Sequence, residues 1–590
     1  MFVWAFFVPT GKLYGFVRSD FIEKSLRNFI LRSGRSVKIF ARSSGDGGIF
    51  IMWDKIINVI TKANDWLNGI VWGWPMIILI LGTGIYLTIR TRALQVRRFG
   101  TSWGETIIPT VKSIGKKSAK AKKQDKNTLS PFQAFATAIS GTVGTGNIVG
   151  VSSAIMTGGP GAVFWMWISA FFGMVTNYAE NVLGLFFRKK EKNGEFSGGP
   201  AYYLSEGLGR NVNGRSGSFL RGLGKTLGVM AAVFCLFAAI GMSGAQTNNI
   251  SSTYQAVLPG SDKKVGLIVG VIVALVLALV VLGGLKSIGT VAAVLVPFMS
   301  VLFIVMALVI IFANVAMIGS AFALIFKNIF SVESALSGFI GYKFSKIIQK
   351  GLARGVFSNE AGLGSSVIAH SASATREPVK QGLWGVFEVF FDTFIICTIT
   401  ALVILVSFGD SVGMEKVLYA KENGEFVYAN TTVSMMAFED IFGTFGTVVY
   451  SVIIPLFAFT TILAWSYYGE KSIDFLFRKT GEKGRKIARY AFKVVYVLLV
   501  IVAATLKSDL AWAISDTFNG LMALPNLVGV VILSGLVWRI TKNYFDRKKG
   551  KNVAPMLSAY PEQNAEFASE LAGFDDEEVP VEGATASDAE

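Results

Sequence analysis

Long apolar runs, separated by short charged stretches, dominate the chain from about residue 70 to residue 540. Eleven of them reach roughly 18 residues, the length at which a helix crosses the hydrocarbon core of a bilayer. They lie at 70–89, 129–157, 160–187, 226–255, 265–284, 289–317, 347–371, 382–407, 441–468, 488–506 and 511–539. The expectation is an all-α polytopic membrane protein with eleven transmembrane helices. Two of the runs make poor helix at their centres. Ser140–Gly150 holds four glycines in eleven residues, each costing roughly 1 kcal/mol against alanine in a helix interior. The run 347–371 contains Gly351-Leu-Ala-Arg-Gly-Val-Phe-Ser-Asn-Glu-Ala-Gly-Leu-Gly-Ser-Ser366. Unwound backbone at membrane depth is tolerated only where it is buried in protein or lines a water-filled cavity. Glycine-rich spans also serve close helix packing, but interrupted spans at corresponding positions of two halves point to a transporter's binding site.

Five spans separate the starts of the two interrupted runs. This predicts one leading helix followed by a five-plus-five repeat, 129–317 and 347–539, whose halves have opposite orientations because five is odd. Residues 52–128 then hold the leading helix and a basic loop. The loops support the same arrangement. Loop 90–128 has eleven Lys/Arg against two acids, 188–225 eight against three and 469–489 seven against three, whereas 408–440 has six acids and two lysines. By the positive-inside rule the N-terminus lies outside and the C-terminus in the cytoplasm of a multi-pass cell-membrane protein. Residues 1–51, with eight basic residues and three acids, read as an extension preceding an alternative start at Met52. Residues 550–590 read as an acidic disordered tail, with ten acids and no base from Glu562 to Glu590.

Composition narrows the function. The chain is 52% hydrophobic and 16% charged, with a formal charge of +17. The bases fall in blocks between apolar runs, which suits an anionic lipid surface rather than nucleic acid. One histidine, His370, and two cysteines inside apolar runs, Cys235 and Cys397, make no zinc pattern. No phosphate-binding loop occurs. Neither an enzyme nor a cofactor protein is expected.

A helix break exposes unpaired N–H groups on one side and carbonyls on the other. The N–H end suits a carboxylate; the carbonyl end suits Na⁺ and the ammonium of an amino acid. Thr142, Thr145, Asn147, Ser358 and Asn359 add oxygen ligands without fixed charge, which favours a small zwitterion. Gly144, Thr145, Gly146 and Asn147 are the expected carboxylate site, and the carbonyls of Thr142 and Val143 would face the cation. Gln246 is polar at span depth and would reach the substrate. Phe357, Ser358 and Asn359 would line the opposite wall, and Trp465 would close a small pocket unless it belongs to the interfacial belt. Ionisable residues within spans are costly and usually functional, so Arg354, Glu360 and Asp392 are gating or ion-pair candidates. Glu180, Glu388 and Asp516 are further acids available to Arg354.

The stretch Gly158-Gly-Pro-Gly-Ala-Val-Phe-Trp-Met-Trp-Ile-Ser-Ala-Phe-Phe-Gly173 resembles a signature of the alanine or glycine:cation symporter (sodium:alanine symporter) family. Val143–Gly150, Phe196-Ser-Gly-Gly-Pro-Ala-Tyr-Tyr203 and Gly355–Gly364 are similar in the same order. The resemblance covers about residues 52–545. It implies Na⁺-coupled, in some members H⁺-coupled, uptake of a small neutral amino acid through the inverted-repeat fold of the neurotransmitter:sodium symporters. In that fold a Na⁺ site joins the first core helix to hydroxyls of the eighth, which makes Thr460 and Thr461 the implied ligands. Threonine hydroxyls in membrane helices also bond carbonyls of their own preceding turn. Alanine, glycine and glutamine, Na⁺ and H⁺, and the oligomeric state are not separated by the sequence. Channel and amino-acid sensor are the other readings.

Overall fold

The computed structural model describes residues 61–113, 128–210, 217–258, 262–330, 340–422, 425–506 and 508–575. The chain divides into two units, Met1–Trp66 and Leu67–Glu590. Of the first, residues 61–66 are described and helical; the extension 1–51 and Met52 lie outside the described residues. The second unit carries the spans.

Helices occupy all eleven apolar intervals. They are α1 (Trp74–Arg90), the interrupted pair α2 (Pro131–Thr142) and α3 (Val149–Gly158), α4 (Ala162–Phe186), α5 (Ser218–Val257), α6 (Asp262–Leu282) and α7 (Gly284–Ala313). The second half brings the pair α8 (Ile340–Asn359) and α9 (Ser366–Ser371), then α10 (Pro378–Phe408). After a short helix α11 (Asn430–Phe442) come α12 (Thr444–Leu476), α13 (Gly481–Ala503) and α14 (Ser508–Lys548). Among the described residues seven helices are long and apolar enough to cross a bilayer, or nine if each of two bent pairs counts as one span. The expected eleven are not reached on length and composition. Charge explains the shortfall: α8 carries Lys343, Lys346, Lys350 and Arg354, and α13 opens on Glu482, Lys483, Arg485, Lys486 and Arg489.

The bundle is apolar outside and polar within. Leu279, Leu282, Val294, Val301 and Phe312 on α6 and α7 are exposed, as lipid contact requires. Asn177, Glu180 and Asn181 on α4, Gln246 and Asn249 on α5, and Thr461 on α12 are buried. α5 runs between α12 and α14, and α4 between α8 and α10, so the polar faces converge on the two breaks.

One end of the bundle is closed by the segments that carry basic loops. Arg188 donates to the carbonyls of Ser371, Ser373 and Thr375, at 3.2, 2.5 and 2.5 Å. Lys471 pairs with Glu195 at 2.8 Å and Arg547 with Glu377 at 2.7 Å. Burial opposes ionisation of Glu195, but the Lys471 ammonium holds its carboxyl below the usual carboxylate range. At this end part of the stretch expected as a disordered tail is helical. Pro561–Asp575 forms a helix, α15, in which Asn564 Oδ1 accepts the N–H groups of Leu557 and Ser558. Its Phe567 is buried between Phe196 and the guanidinium groups of Arg188 and Arg376, and Glu570 pairs with Arg376 at 2.5 Å. Acids without local bases read as unstructured in isolation; here the bases come from residues 190 and 376. Residues 576–590 lie outside the described set.

Candidate functional site

The first break is built from both sides. Ser130 and Gln133 cap α2 reciprocally ahead of Pro131, so the helix has a firm start and its unwinding at Val143 is set by the glycines after it. Gly144 is extended, Thr145–Asn147 form one tight turn, and α3 leaves at 54° to α2. A Cβ on Gly144 would overlap Thr461 Oγ1; only glycine lets α12 approach this closely. Gly144 N–H donates to Asn147 Oδ1 at 3.0 Å, and to the Thr142 carbonyl at 2.9 Å. Thr145 donates to Gln246 Oε1 through its N–H at 3.3 Å and its hydroxyl at 2.7 Å, and its hydroxyl accepts Asn249 Nδ2 at 2.5 Å.

The second break, between α8 and α9, turns on left-handed backbone at Glu360 (φ 54°), Gly362 (φ 93°) and Gly364 (φ 76°). Glu360 is a non-glycine residue in a costly conformation. Trp465 Nε1 and Ser365 Oγ hold its carboxylate at 3.0 and 2.5 Å.

The two breaks meet at Asp392. A π-type stretch of α10, Phe390–Cys397, presents it, a distortion frequent at functional sites. Asn147 Nδ2 donates to Asp392 Oδ1 at 2.5 Å, while Ser358 Oγ and Thr393 Oγ1 both donate to Oδ2 at 2.8 Å. Asn359 Nδ2 reaches Thr393 Oγ1 at 3.1 Å. Phe357 sits against Gly146, its ring tilted 38° to that of Trp512 with centroids 5.2 Å apart. Arg354 lies over both rings and grips Asp516 with two bonds of 3.0 and 2.8 Å.

The structure therefore brings Gly144, Thr145, Gly146, Asn147, Gln246, Phe357 and Ser358 together, with Asn359 one contact removed. Trp465 is fully buried and is not an interfacial belt residue. Of the cation candidates, Thr461 donates to the Ser140 carbonyl at 3.0 Å, beside Thr142 and Val143. The Thr460 hydroxyl meets the carbonyls of Leu456 and Phe457 and Met299 Sδ, whereas that of Thr461 meets the Phe457 carbonyl of its own helix as well as the Ser140 carbonyl, each at 3.0 Å. Neighbours in a helix point about 100° apart, so α12 offers the break only one of the two. Of the gating or ion-pair candidates, Arg354 makes its pair with Asp516 and not with Glu360 or Asp392. Among the described residues neither of those two acids makes an ion pair with Lys or Arg. Sequence reasoning missed Asn249 and Trp512. Asn249 follows Gln246 by three positions and Trp512 precedes Asp516 by four, the spacings of one helix face.

Apolar outer faces, a polar interior and two interrupted helices meeting across one carboxylate define a multi-pass membrane transporter. The chain matches the sodium:alanine symporter family over residues 57–558. It is 39% identical over 484 residues to an uncharacterized transporter of Haemophilus influenzae, covering 82% of this chain and 96% of that protein. It is 39% identical over 490 residues to the sodium/alanine symporter AgcS of Methanococcus maripaludis, covering 82% and 97%. The chain belongs to the sodium:alanine symporter family; it is a cation-coupled amino-acid symporter and not an enzyme. Among solved structures, MhsT in complex with L-phenylalanine aligns with a TM-score of 0.46 at 14% identity, covering 70% of this chain and 98% of that one.

Proposed function

We propose that the protein couples inward movement of Na⁺ to uptake of alanine or glycine across the cell membrane, by alternating access. The observation that carries this reading is the state of the first break. The N–H groups of Gly144 and Thr145 are met by the amide oxygens of Asn147 and Gln246, acceptors that a substrate carboxylate replaces without leaving a donor unpaired. Gly146 and Asn147 complete the cradle. With Phe357 against Gly146 and Ser358, Asn359 and Trp465 as the other wall, the pocket in this reading would take a side chain of hydrogen or methyl size.

Na⁺ is a hard cation that takes oxygen ligands, and the oxygens near the break are neutral. The Thr461 hydroxyl and the carbonyls of Thr142 and Val143 are the proposed ligands. An ion held there fixes the end of α2 and pre-forms the carboxylate site, so ion and amino acid raise each other's affinity reciprocally. Eleven spans in a one-plus-five-plus-five inverted arrangement, with the basic loops and the C-terminus cytoplasmic, are the architecture this cycle uses. Arg354–Asp516 is the gate on the opposite side from Arg188.

The competing assignments are a proton-coupled or glutamine-selective carrier of the same design. A counterflow screen of alanine, glycine and glutamine with Na⁺, Li⁺ and H⁺ varied in turn separates them. Exchange of alanine or glycine that depends on Na⁺ is the expected result; Na⁺-independent exchange, or glutamine alone, contradicts the proposal.

A further inference from the structure

Behind the two breaks, toward the end closed by Arg188, lies a second buried polar cluster that the substrate and cation sites do not use. His370 on α9 and Glu388 on α10 are both fully buried, with His370 Nε2 2.8 Å from Glu388 Oε2. The other imidazole nitrogen, Nδ1, accepts from Gln381 Nε2 at 2.6 Å. That assignment of donors puts the imidazole proton on Nε2, donating to the carboxylate. Gly385, between Gln381 and Glu388 on α10, packs directly on Asn177 and Asn181 of α4. Asn181 Nδ2 donates to Asn177 Oδ1 at 2.6 Å, and Asn177 Nδ2 to Ser366 Oγ at 3.2 Å.

Three oxygens of this cluster have no hydrogen-bond partner although they are buried: Glu388 Oε1, Gln381 Oε1 and Asn181 Oδ1; Glu180 Oε2, one turn away, is a fourth. All are acceptors, so the cluster is short of hydrogens and not of lone pairs. It is also short of positive charge. The titratable groups facing the pair are Glu180 and Tyr178 on α4, Glu360 ahead of α9, Asp392 on α10 and Tyr468 on α12. Nearby charges at the closed end are already engaged: Lys471 on Glu195, Arg547 on Glu377, Arg188 on backbone carbonyls, and Glu105 on Lys548. A neutral imidazole beside an ionised carboxylate leaves one net negative charge inside the bundle, which costs several kcal/mol when no cation offsets it.

We propose that the Glu388–His370 pair is a proton-binding site of the transport cycle. One proton adds to Glu388 Oε1, the carboxylate oxygen that does not meet the imidazole, with the Ser366 hydroxyl beside the carboxyl, and cancels the net charge without disturbing either imidazole bond. His370 immediately precedes Ser371, where Arg188 ties down the chain. Separation of α9 from α4 at that end admits water to the pair, and the proton leaves to that water as the carboxylate becomes solvated. The site is thus loaded when the end is closed and unloaded when it opens. Its placement in the cycle rests on the symport reading; its ability to hold a proton does not.

Infrared difference spectra of the purified full-length protein between acidic and alkaline pH test the site without any transport. Wild type is expected to show a protonated-carboxyl band that Glu388→Gln lacks and that Glu180→Gln retains. An unchanged band in Glu388→Gln overturns the proposal. In proteoliposomes, a one-proton linkage changes wild-type half-saturation for the amino acid by up to about tenfold per pH unit. Glu388→Gln is expected to be flat over the same range, and His370→Gln to move the wild-type profile along the pH axis. Superimposable profiles for all three contradict a role in the cycle. Absence of cation-driven uptake by wild type, with the infrared band intact, would instead count against the proposed function and leave the site standing.

Discussion

Asp392 accepts the side-chain amide of Asn147 at 2.5 Å on one oxygen and the hydroxyl of Ser358 at 2.8 Å on the other. One carboxylate ties the unwound end of the first interrupted helix to the last turn before the second break. Asp392→Asn keeps one oxygen for the Asn147 amide but puts an NH2 where the Ser358 and Thr393 hydroxyls now donate, so both lose their acceptor, a loss of about 1–3 kcal/mol. The variant is expected to bind amino acid roughly tenfold more weakly or worse and to melt at lower temperature in detergent. Binding and melting curves equal to wild type would remove Asp392 from the site.

Thr461 and Thr460 make a paired test of the ion site. Both hydroxyls bond within α12, but Thr461 also spans to the Ser140 carbonyl and abuts Gly144, whereas Thr460 reaches Met299. Thr461→Ala is expected to raise the Na⁺ concentration for half-maximal uptake several-fold, about 1 kcal/mol for one neutral ligand, with Thr461→Ser restoring it. Thr460→Ala should leave Na⁺ activation unchanged. The measurement is the sodium activation curve at fixed amino acid; equal effects from the two alanines would refute the placement.

Arg354 and Asp516 are 13% and 17% exposed and joined by two bonds. Removing either partner leaves the other charge largely buried and unpaired, and Arg354 also lies over the rings of Phe357 and Trp512. A double-mutant cycle with Arg354→Ala and Asp516→Ala, read on amino-acid affinity, is expected to give a coupling of about 1–3 kcal/mol. Additive losses would mean that the pair does not act as one gate.

Phe567 fills a cage of Phe196, Arg188 and Arg376. Phe567→Ala is expected to cost about 3 kcal/mol of local stability and to release α15, seen as faster amide exchange over 561–575. If exchange there is already fast in wild type and unchanged in the variant, α15 is not docked in solution.

What can be read from the chain alone tracks how local the physics is. The break at Gly144 is legible because glycines and a capping asparagine sit within four residues of each other. Gln246 stands out as a polar side chain at span depth. The meeting of Asn147 with Asp392 is not legible, since the partners are 245 residues apart and a π-type turn, invisible to a 3.6-residue pattern, aims the carboxylate. Thr460 and Thr461 are indistinguishable without the helix rotation that selects one. The helix at 561–575 is hidden for a similar reason: its acids find their bases on Lys190 and Arg376, and its buried Phe567 packs on Phe196, far away in sequence.

Sodium coupling itself is tested by accumulation of labelled alanine in proteoliposomes under an inward Na⁺ gradient, with and without an ionophore that collapses it. The expected result is transient accumulation above equilibrium that vanishes when the gradient is collapsed, with sodium dependence weakened most in Thr461→Ala. Equilibration to the same level with and without the gradient would contradict it.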